Sequence, residues 1–112
     1  MDKKIPNTIV EFEFCDGSKT ELTLAFYKLY QLKAKNKELY KKYMENMQKS
    51  KTDELETMEI LYTAYICAHL DDENVMSIED FMILCGSDRI AVQEAAYNLI
   101  RPKKQQDSVS PS

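Results

Sequence analysis

The stretch Ile60-Leu-Tyr-Thr-Ala-Tyr-Ile-Cys-Ala68 decides the fold, because it is apolar or weakly polar on every side of a helical wheel. A helix without a polar face has to be surrounded by protein. We therefore predict a central core helix over residues 53–70, which is long enough to cross a small domain. Because Ile66 lies inside the apolar stretch, we expect the substitution Ile66→Asp to unfold the protein.

The residues that flank the central helix predict its ends and the next helix. Asp53 is a favoured N-cap, and the acids that follow it lie in the first turn, where the helix dipole stabilises them. Residues 71–74 are polar and predict a loop. Ser77 then predicts the start of a short helix that ends at Gly86.

The N-terminal part of the chain predicts a β-hairpin over residues 8–24. Residues 8–15 alternate in polarity, and the apolar side chains fall on one face of a strand, at Val10, Phe12 and Phe14. Asp16-Gly17 is a favoured centre for a tight turn, because both residue types tolerate positive φ. Residues 19–24 alternate again and predict the return strand.

Two helices are predicted between the hairpin and the central helix, separated by a break and N-cap at Asn36. In the first, over residues 25–35, the side chains stacked at helical spacing are Phe26, Leu29, Tyr30 and Lys33, with Leu32 beside them. In the second, over residues 37–49, they form a stripe of Leu39, Tyr40, Tyr43, Met44 and Met47. Periodicity leaves open whether this second stripe faces the chain's own core or a partner.

The last predicted helix begins at Asp88 and is limited by Pro102. Its apolar stripe comprises Ala91, Val92, Ala95, Ala96, Leu99 and Ile100. The predicted fold is therefore mainly α with an N-terminal hairpin, in an α+β arrangement of about five helices organised round the central one. We predict one globular domain over residues 1–102, with its helical part at 25–101 and a disordered polar tail at 103–112.

Composition agrees with a helical domain inside a cell. The chain has 112 residues with only two Gly and three Pro, which disfavours sandwiches and barrels because these need many tight turns. Cys15, Cys67 and Cys85 lie in apolar settings and predict buried free thiols in a reducing compartment. No signal peptide is recognised, and the apolar part of the central helix is too short for a bilayer, so we expect a cytoplasmic protein without membrane association.

Charge is distributed unevenly along the chain. Residues 28–51 contain eight lysines and two glutamates, whereas residues 53–80 contain nine acids and no Lys or Arg. Such a dipole could favour head-to-tail self-association or could hold two neighbouring elements together. The lysines interleaved with tyrosines could also mark a nucleic-acid face, but the chain's formal net charge of −4 argues against phosphate binding.

The sequence offers little chemistry for an enzyme. His69 is the single histidine, which excludes multi-histidine metal sites, and its position predicts a structural role at a helix C-terminus. A catalytic pair with Cys67 is disfavoured, because residues two apart on a helix point in different directions. Glycines occur only at 17 and 86, too few for a phosphate-binding loop. An EF-hand alignment from Asp71 places Met76 and Met82 where a Gly and a Glu are needed. We expect neither catalysis nor a metal or cofactor.

Taken in order, several segments resemble the tail assembly chaperones of long-tailed phages and prophages of Gram-positive bacteria. They are Val10-Glu-Phe-Glu-Phe-Cys-Asp-Gly-Ser-Lys-Thr20, residues 22–40, Leu61-Tyr-Thr-Ala-Tyr-Ile-Cys-Ala68, Met76-Ser-Ile-Glu-Asp-Phe81 and Gly86-Ser-Asp-Arg89. The resemblance covers roughly residues 8–101. It implies a non-enzymatic protein of the host cytoplasm that binds the tape measure protein, keeps it soluble and is displaced by the tail tube protein.

The resemblance supplies no residue-level binding motif, so the expected contacts follow from physical reasoning alone. We expect client binding through the hairpin face at Phe12 and Phe14 and through the stripe of Tyr40, Tyr43, Met44 and Met47, since Met and Tyr suit adaptable recognition. Unshared hairpin edges could also support self-association. The alternatives are a small regulator that binds nucleic acid and a structural protein retained in the tail or head.

Overall fold

The computed structural model describes residues 9–100 and contains an antiparallel hairpin followed by five helices. The elements in chain order are β1 (Ile9–Glu13), β2 (Lys19–Thr23), α1 (Phe26–Lys35), α2 (Lys37–Met47), α3 (Glu54–Ala68), α4 (Ile78–Cys85) and α5 (Arg89–Ile100). The predicted fold class is confirmed. The predicted start of the hairpin at residue 8, the domain end at residue 102 and the tail at 103–112 lie outside the described residues.

The hairpin forms where the alternation and the turn residues predict it. Its register pairs Val10 with Leu22 and Phe12 with Thr20. At the turn, Gly17 has φ of 89°, a conformation that side chains disfavour, and the Asp16 carboxylate accepts the Ser18 N–H at 2.9 Å. These interactions fix the turn, and with it the face on which the apolar residues lie.

Helix α3 is the centre of the fold, because it contacts β2 and each of the other helices. Its start carries a complete capping box, in which the Asp53 carboxylate accepts the Glu56 N–H and the Glu56 side chain accepts the Asp53 N–H. Buried residues occur around the apolar half of the helix, with Leu61 and Cys67 fully enclosed. Ile66 is only half-buried, so it does not mark the deepest point of the core.

The caps of two further helices also lie at the predicted residues. The Asn36 side chain accepts the Leu39 N–H at the start of α2, and the Ser77 hydroxyl accepts the Asp80 N–H at the start of α4. Three predicted helices are slightly shorter: α1 starts after Ala25, α2 stops at Met47, and the central helix predicted over 53–70 spans Glu54–Ala68. Such shifts are common because helix ends fray.

An aromatic cluster links the hairpin to α3 and α4. The Phe14 and Phe81 rings meet edge to face with centroids 5.6 Å apart, and the Phe81 ring also contacts Tyr62 and Tyr65. Phe12 extends the cluster along β1. We call these five residues (Phe12, Phe14, Tyr62, Tyr65 and Phe81) the core aromatic cluster.

Two hydroxyl groups of this cluster hold the loop that precedes α4. The Tyr62 hydroxyl donates to the Met76 carbonyl at 2.7 Å, and the Tyr65 hydroxyl accepts the Met76 N–H at 2.9 Å. Both backbone groups of one loop residue are therefore bonded to α3. This arrangement explains how a loop without regular structure delivers α4 to a defined place on the core.

The residues that share helical spacing on α1 do not share one environment. Leu29 and Leu32 are buried, but Phe26 and Tyr30 are exposed. Helix α1 packs against α2 and α3, and the two leucines are enough to fill that contact. On α5, four members of the predicted stripe are buried, while Ile100 is exposed.

The three cysteines are free, as predicted, but Cys15 is exposed rather than buried. It follows the end of β1, and its N–H donates to the Leu84 carbonyl at 2.8 Å. Its sulfur lies against Gly86, where an added Cβ would come within 2.3 Å of Sγ. Gly86 thus combines a positive φ of 65° with a close approach that no side chain would allow.

Within residues 9–100, no helix has both the length and the apolar character that crossing a membrane requires. In the same part of the chain, no group of three His, Cys, Asp or Glu side chains is arranged to hold a metal ion.

Candidate protein-binding surfaces

The hairpin residues expected to bind a partner are part of the protein's own core. Phe12 and Phe14 are each 5% exposed, and their rings contact each other and the core aromatic cluster. Alternation correctly identified the apolar face of β1, but that face packs on helices of the same chain. A partner would reach these two rings only if the hairpin separated from the helices.

The α2 stripe is divided between core and surface. Tyr43 is buried, and desolvation raises the pKa of its phenol. Tyr40, Met44 and Met47 are half-buried against the core. The structure thus brings the four side chains together along one side of α2, where three of them keep a part of their surface accessible. Their role in binding stays a prediction.

The two most exposed aromatic residues of the described chain, Phe26 and Tyr30, lie on α1. The exposed fractions are 89% for Phe26, 63% for Tyr27 and 78% for Tyr30. At 100° per residue, the three side chains fall within about 100° of one another round the helix axis. We call them the α1 aromatic face. Three large aromatic side chains so exposed on one helix form the kind of patch that marks an interaction surface.

Two lysine side chains of α1 lie over tyrosine rings of α1 and α2. The Lys28 ammonium lies 5.6 Å from the centroid of the Tyr27 ring, and the Lys33 ammonium lies 5.6 Å from that of Tyr40. The second contact connects α1 to the accessible part of the α2 stripe. The two helices together therefore present aromatic area bordered by positive charge.

A second concave surface, the α3–α5 cleft, lies where the first turns of α3 and α5 meet. Its volume is about 440 Å³, within the range of ligand sites. Its polar groups already have partners: Arg89 pairs with Glu54, and the Asp88 carboxylate accepts the Ala91 N–H. The cleft therefore offers mainly apolar contact, through Leu55, Met58, Met82 and Val92.

Some charges of the basic and acidic segments pair with each other within the molecule. Lys49 of the linker after α2 pairs with Glu56 of α3, and the Lys35 ammonium lies 3.7 Å from the Asp71 carboxylate. Lys35 also donates to the Leu70 carbonyl. These contacts support the interpretation that the basic and acidic segments hold neighbouring elements together.

Cys67 and His69 both have structural contacts at the end of α3. Burial raises the pKa of the Cys67 thiol to about 12, which keeps it protonated and unreactive. The His69 Nδ1 lies 2.8 Å from the Tyr65 carbonyl, and its Nε2 lies 3.5 Å from the Thr20 hydroxyl. His69 thus bonds the end of α3 and faces β2, as its predicted structural role requires.

No family model matches the chain, and neither a curated protein nor a solved structure matches it. The resemblance to tail assembly chaperones therefore remains a prediction from the sequence.

The α1 aromatic face was missed because it looks like a core stripe in one dimension. Phe26 and Tyr30 are spaced by four residues, just as buried pairs are. One signal was present: Leu29 and Leu32 lie on a different side of the helical wheel from Tyr27. A short helix with apolar residues on both sides has either two buried faces or one buried and one exposed.

Proposed function

We propose that this protein is a tail assembly chaperone that binds the tape measure protein in the host cytoplasm and keeps it soluble while the tail tube assembles. The family resemblance supplies the class of function. The observation that carries the proposal is the α1 aromatic face, a large exposed aromatic surface on a folded domain. A stable soluble protein seldom retains such a surface unless a partner covers it.

The chemistry of this surface suits a long helical client. An amphipathic helix presents apolar side chains along one side, and rings such as Phe26 and Tyr30 provide contact area with few rotatable bonds. Lysines beside the rings would add attraction to acidic residues that flank an apolar stripe. The half-buried Tyr40, Met44 and Met47 lie on the neighbouring helix α2, where Lys33 of α1 contacts the Tyr40 ring, and they can adjust to different client sequences.

Release matters as much as binding for this function. Three rings without a deep pocket bury less area than a permanent interface does, so a moderate affinity is expected. The tail tube protein could then displace the chaperone by covering the same client surface. The α3–α5 cleft offers further apolar contact if the client is long enough to reach it.

Co-expression with the tape measure protein tests the proposal. The expected results are a soluble complex that is recovered by a tag on either chain and dissociation of that complex when tail tube protein is added. An insoluble tape measure protein and an empty pull-down would contradict the proposal. Mass spectrometry of purified particles adds a second criterion, because an assembly chaperone should be absent and a structural tail protein present.

A further inference from the structure

The outer edge of β1 carries backbone groups that the hairpin leaves unused. The Phe14 N–H donates to the Ser18 carbonyl on the other arm of the hairpin. In an antiparallel pair every second residue bonds to the neighbouring strand, so the backbone groups of Phe12 and Val10 also face β2. The N–H and C=O groups of Glu11 and Glu13 therefore point away from β2. Among residues 9–100, these groups have no backbone partner.

Cys15, the next outward-facing residue after Glu13, shows that the backbone groups on this edge can form hydrogen bonds. The Cys15 N–H points outward like those of Glu11 and Glu13, and it donates to the Leu84 carbonyl at the end of α4. One end of the edge is thus closed by the protein itself. The two preceding positions remain open as a short template for another strand.

A groove runs along this open edge, between β1 and α5. Its volume is about 590 Å³, and the α5 wall contains the small residues Ala91 and Ala95. Small side chains on the helix leave room beside the strand. A sheet edge facing a helix across a groove is the arrangement that takes up an extended peptide as an added strand.

The charge of the groove defines the chemistry of its occupant. Of the residues 9–100 that line it, four are acidic and none is Lys or Arg; the acids are Glu11, Glu13, Asp88 and Glu94. The three glutamates make no ion pair within the described residues. Peptide side chains carrying positive charge would meet these carboxylates on both sides of the groove.

We propose that the β1–α5 groove binds an extended, lysine- or arginine-bearing segment of another protein as a third strand of the sheet. Backbone hydrogen bonds to Glu11 and Glu13 hold the segment, and the surrounding carboxylates select basic side chains. This inference goes beyond the proposed function, because it uses a different surface and does not require the tape measure protein. Either proposal can fail without the other.

Pairing between two copies of this edge is disfavoured by the same residues. An antiparallel β1–β1 pair would bring glutamates of one copy opposite or diagonal to glutamates of the other. Like charges at such short spacing destabilise a strand pair. The sequence-based expectation that hairpin edges support self-association is therefore weakest at this edge.

The test uses a fluorescein-labelled synthetic peptide with alternating Lys and Val, seven residues long, and fluorescence anisotropy with the full chain. Three matched peptides accompany it: one with Glu in place of Lys, one N-methylated on alternate backbone nitrogens, and one N-methylated on the others. We expect binding of the Lys peptide and no binding of the Glu peptide. One N-methylated peptide should bind at least about tenfold more weakly than the other, because only one set of N–H groups faces β1.

Two pairs of protein variants complete the test. Glu11→Pro removes an outward N–H of β1, and Glu21→Pro removes the matching N–H on the outer edge of β2. Glu94→Lys reverses a charge in the groove, and Gln93→Lys adds the same charge at the neighbouring position of α5. Glu11→Pro and Glu94→Lys should each weaken binding on the order of tenfold relative to their controls.

A direct readout keeps the proposal testable if a proline variant does not fold. Saturation with the Lys peptide should slow amide hydrogen exchange at Glu11 or Glu13 of the unaltered protein and leave Phe12 unchanged. Equal binding of all Lys peptides whatever their N-methylation would overturn the proposal, since it would show attraction by charge alone. Equal weakening by both members of a variant pair, or self-association through Glu11 and Glu13, would overturn it as well.

Discussion

The core aromatic cluster and the α1 aromatic face are built from the same residue types and have opposite environments. Phe81 is fully buried among rings from β1 and α3, whereas Phe26 is 89% exposed on α1. Both lie at apolar positions of helices. The comparison teaches that the environment of an aromatic side chain depends on which elements pack against its helix, and not on the residue type. The first group stabilises the fold, and the second is the surface for which we propose partner binding.

The largest effect is expected from a charge placed at the centre of the core. Leu61→Asp puts a carboxylate at a fully buried position of α3 and should prevent folding, because burial removes the water that would solvate the charge. Ile66→Asp is the matched control at a half-buried position of the same helix. It should destabilise less, as measured by circular dichroism and thermal unfolding. Equal effects would show that the two sides of α3 are buried alike.

The next largest change in stability is expected when one phenylalanine from each aromatic group is replaced by alanine. Phe81→Ala should lower the free energy of unfolding by about 3–5 kcal/mol, because it leaves a cavity between β1 and α3. Phe26→Ala should change it by less than about 0.5 kcal/mol, since the ring is exposed. Urea denaturation measures both values. A large loss at Phe26 would mean that the α1 aromatic face is packed against the protein.

Alkaline pH should lower the stability of the protein through two buried thiols of its core, neither of which belongs to the α1 aromatic face. Burial raises the pKa of Cys67 to about 12 and that of Cys85 to about 11, from an ordinary value of 9.0. Above pH 9 the unfolded chain loses these protons first, so the free energy of unfolding falls as pH rises. The expected slope is about 1.4 kcal/mol per pH unit for each thiol. Urea titrations between pH 8 and 11 should give a shallower slope for Cys67→Ala, and an unchanged slope would contradict the assignment.

A smaller effect is expected at a hydroxyl of the core aromatic cluster. Tyr65→Phe leaves the Met76 N–H without its acceptor and should cost about 1 kcal/mol of stability. Tyr97→Phe is the matched control, because Tyr97 is 63% exposed on α5. Urea denaturation compares the two, and hydrogen exchange of the Met76 amide should accelerate only in the first. Equal stabilities would show that water replaces the lost hydroxyl.

Local signals in the sequence predicted much of the fold, because the interactions that fix them are local. Asn36, Asp53 and Ser77 cap helices with side chains that reach only two or three residues, and Asp16-Gly17 forms its turn in the same way. The central position of α3 was also predictable, since a helix that is apolar on all sides has to be buried in the protein interior.

The α1 aromatic face could not be predicted in the same way, because the burial of a side chain depends on which helices and strands pack against it. The stripe on α1 contained two leucines and two aromatic residues at suitable spacing, and only the packing of α2 and α3 selects Leu29 and Leu32. Phe12 and Phe14 were correctly placed on one face, but the sequence did not reveal that α4 supplies their partner.

The most direct test of the division between core and surface is client binding by matched exposed-site variants. The measurement is the amount of soluble tape measure protein recovered with the unaltered chain, with a Phe26→Ser/Tyr30→Ser variant and with Tyr97→Ser. We predict that all three proteins fold with the same thermal stability, and that only the α1 variant loses most of the soluble client. Full recovery with the α1 variant would contradict the assignment, as would an equal loss with Tyr97→Ser.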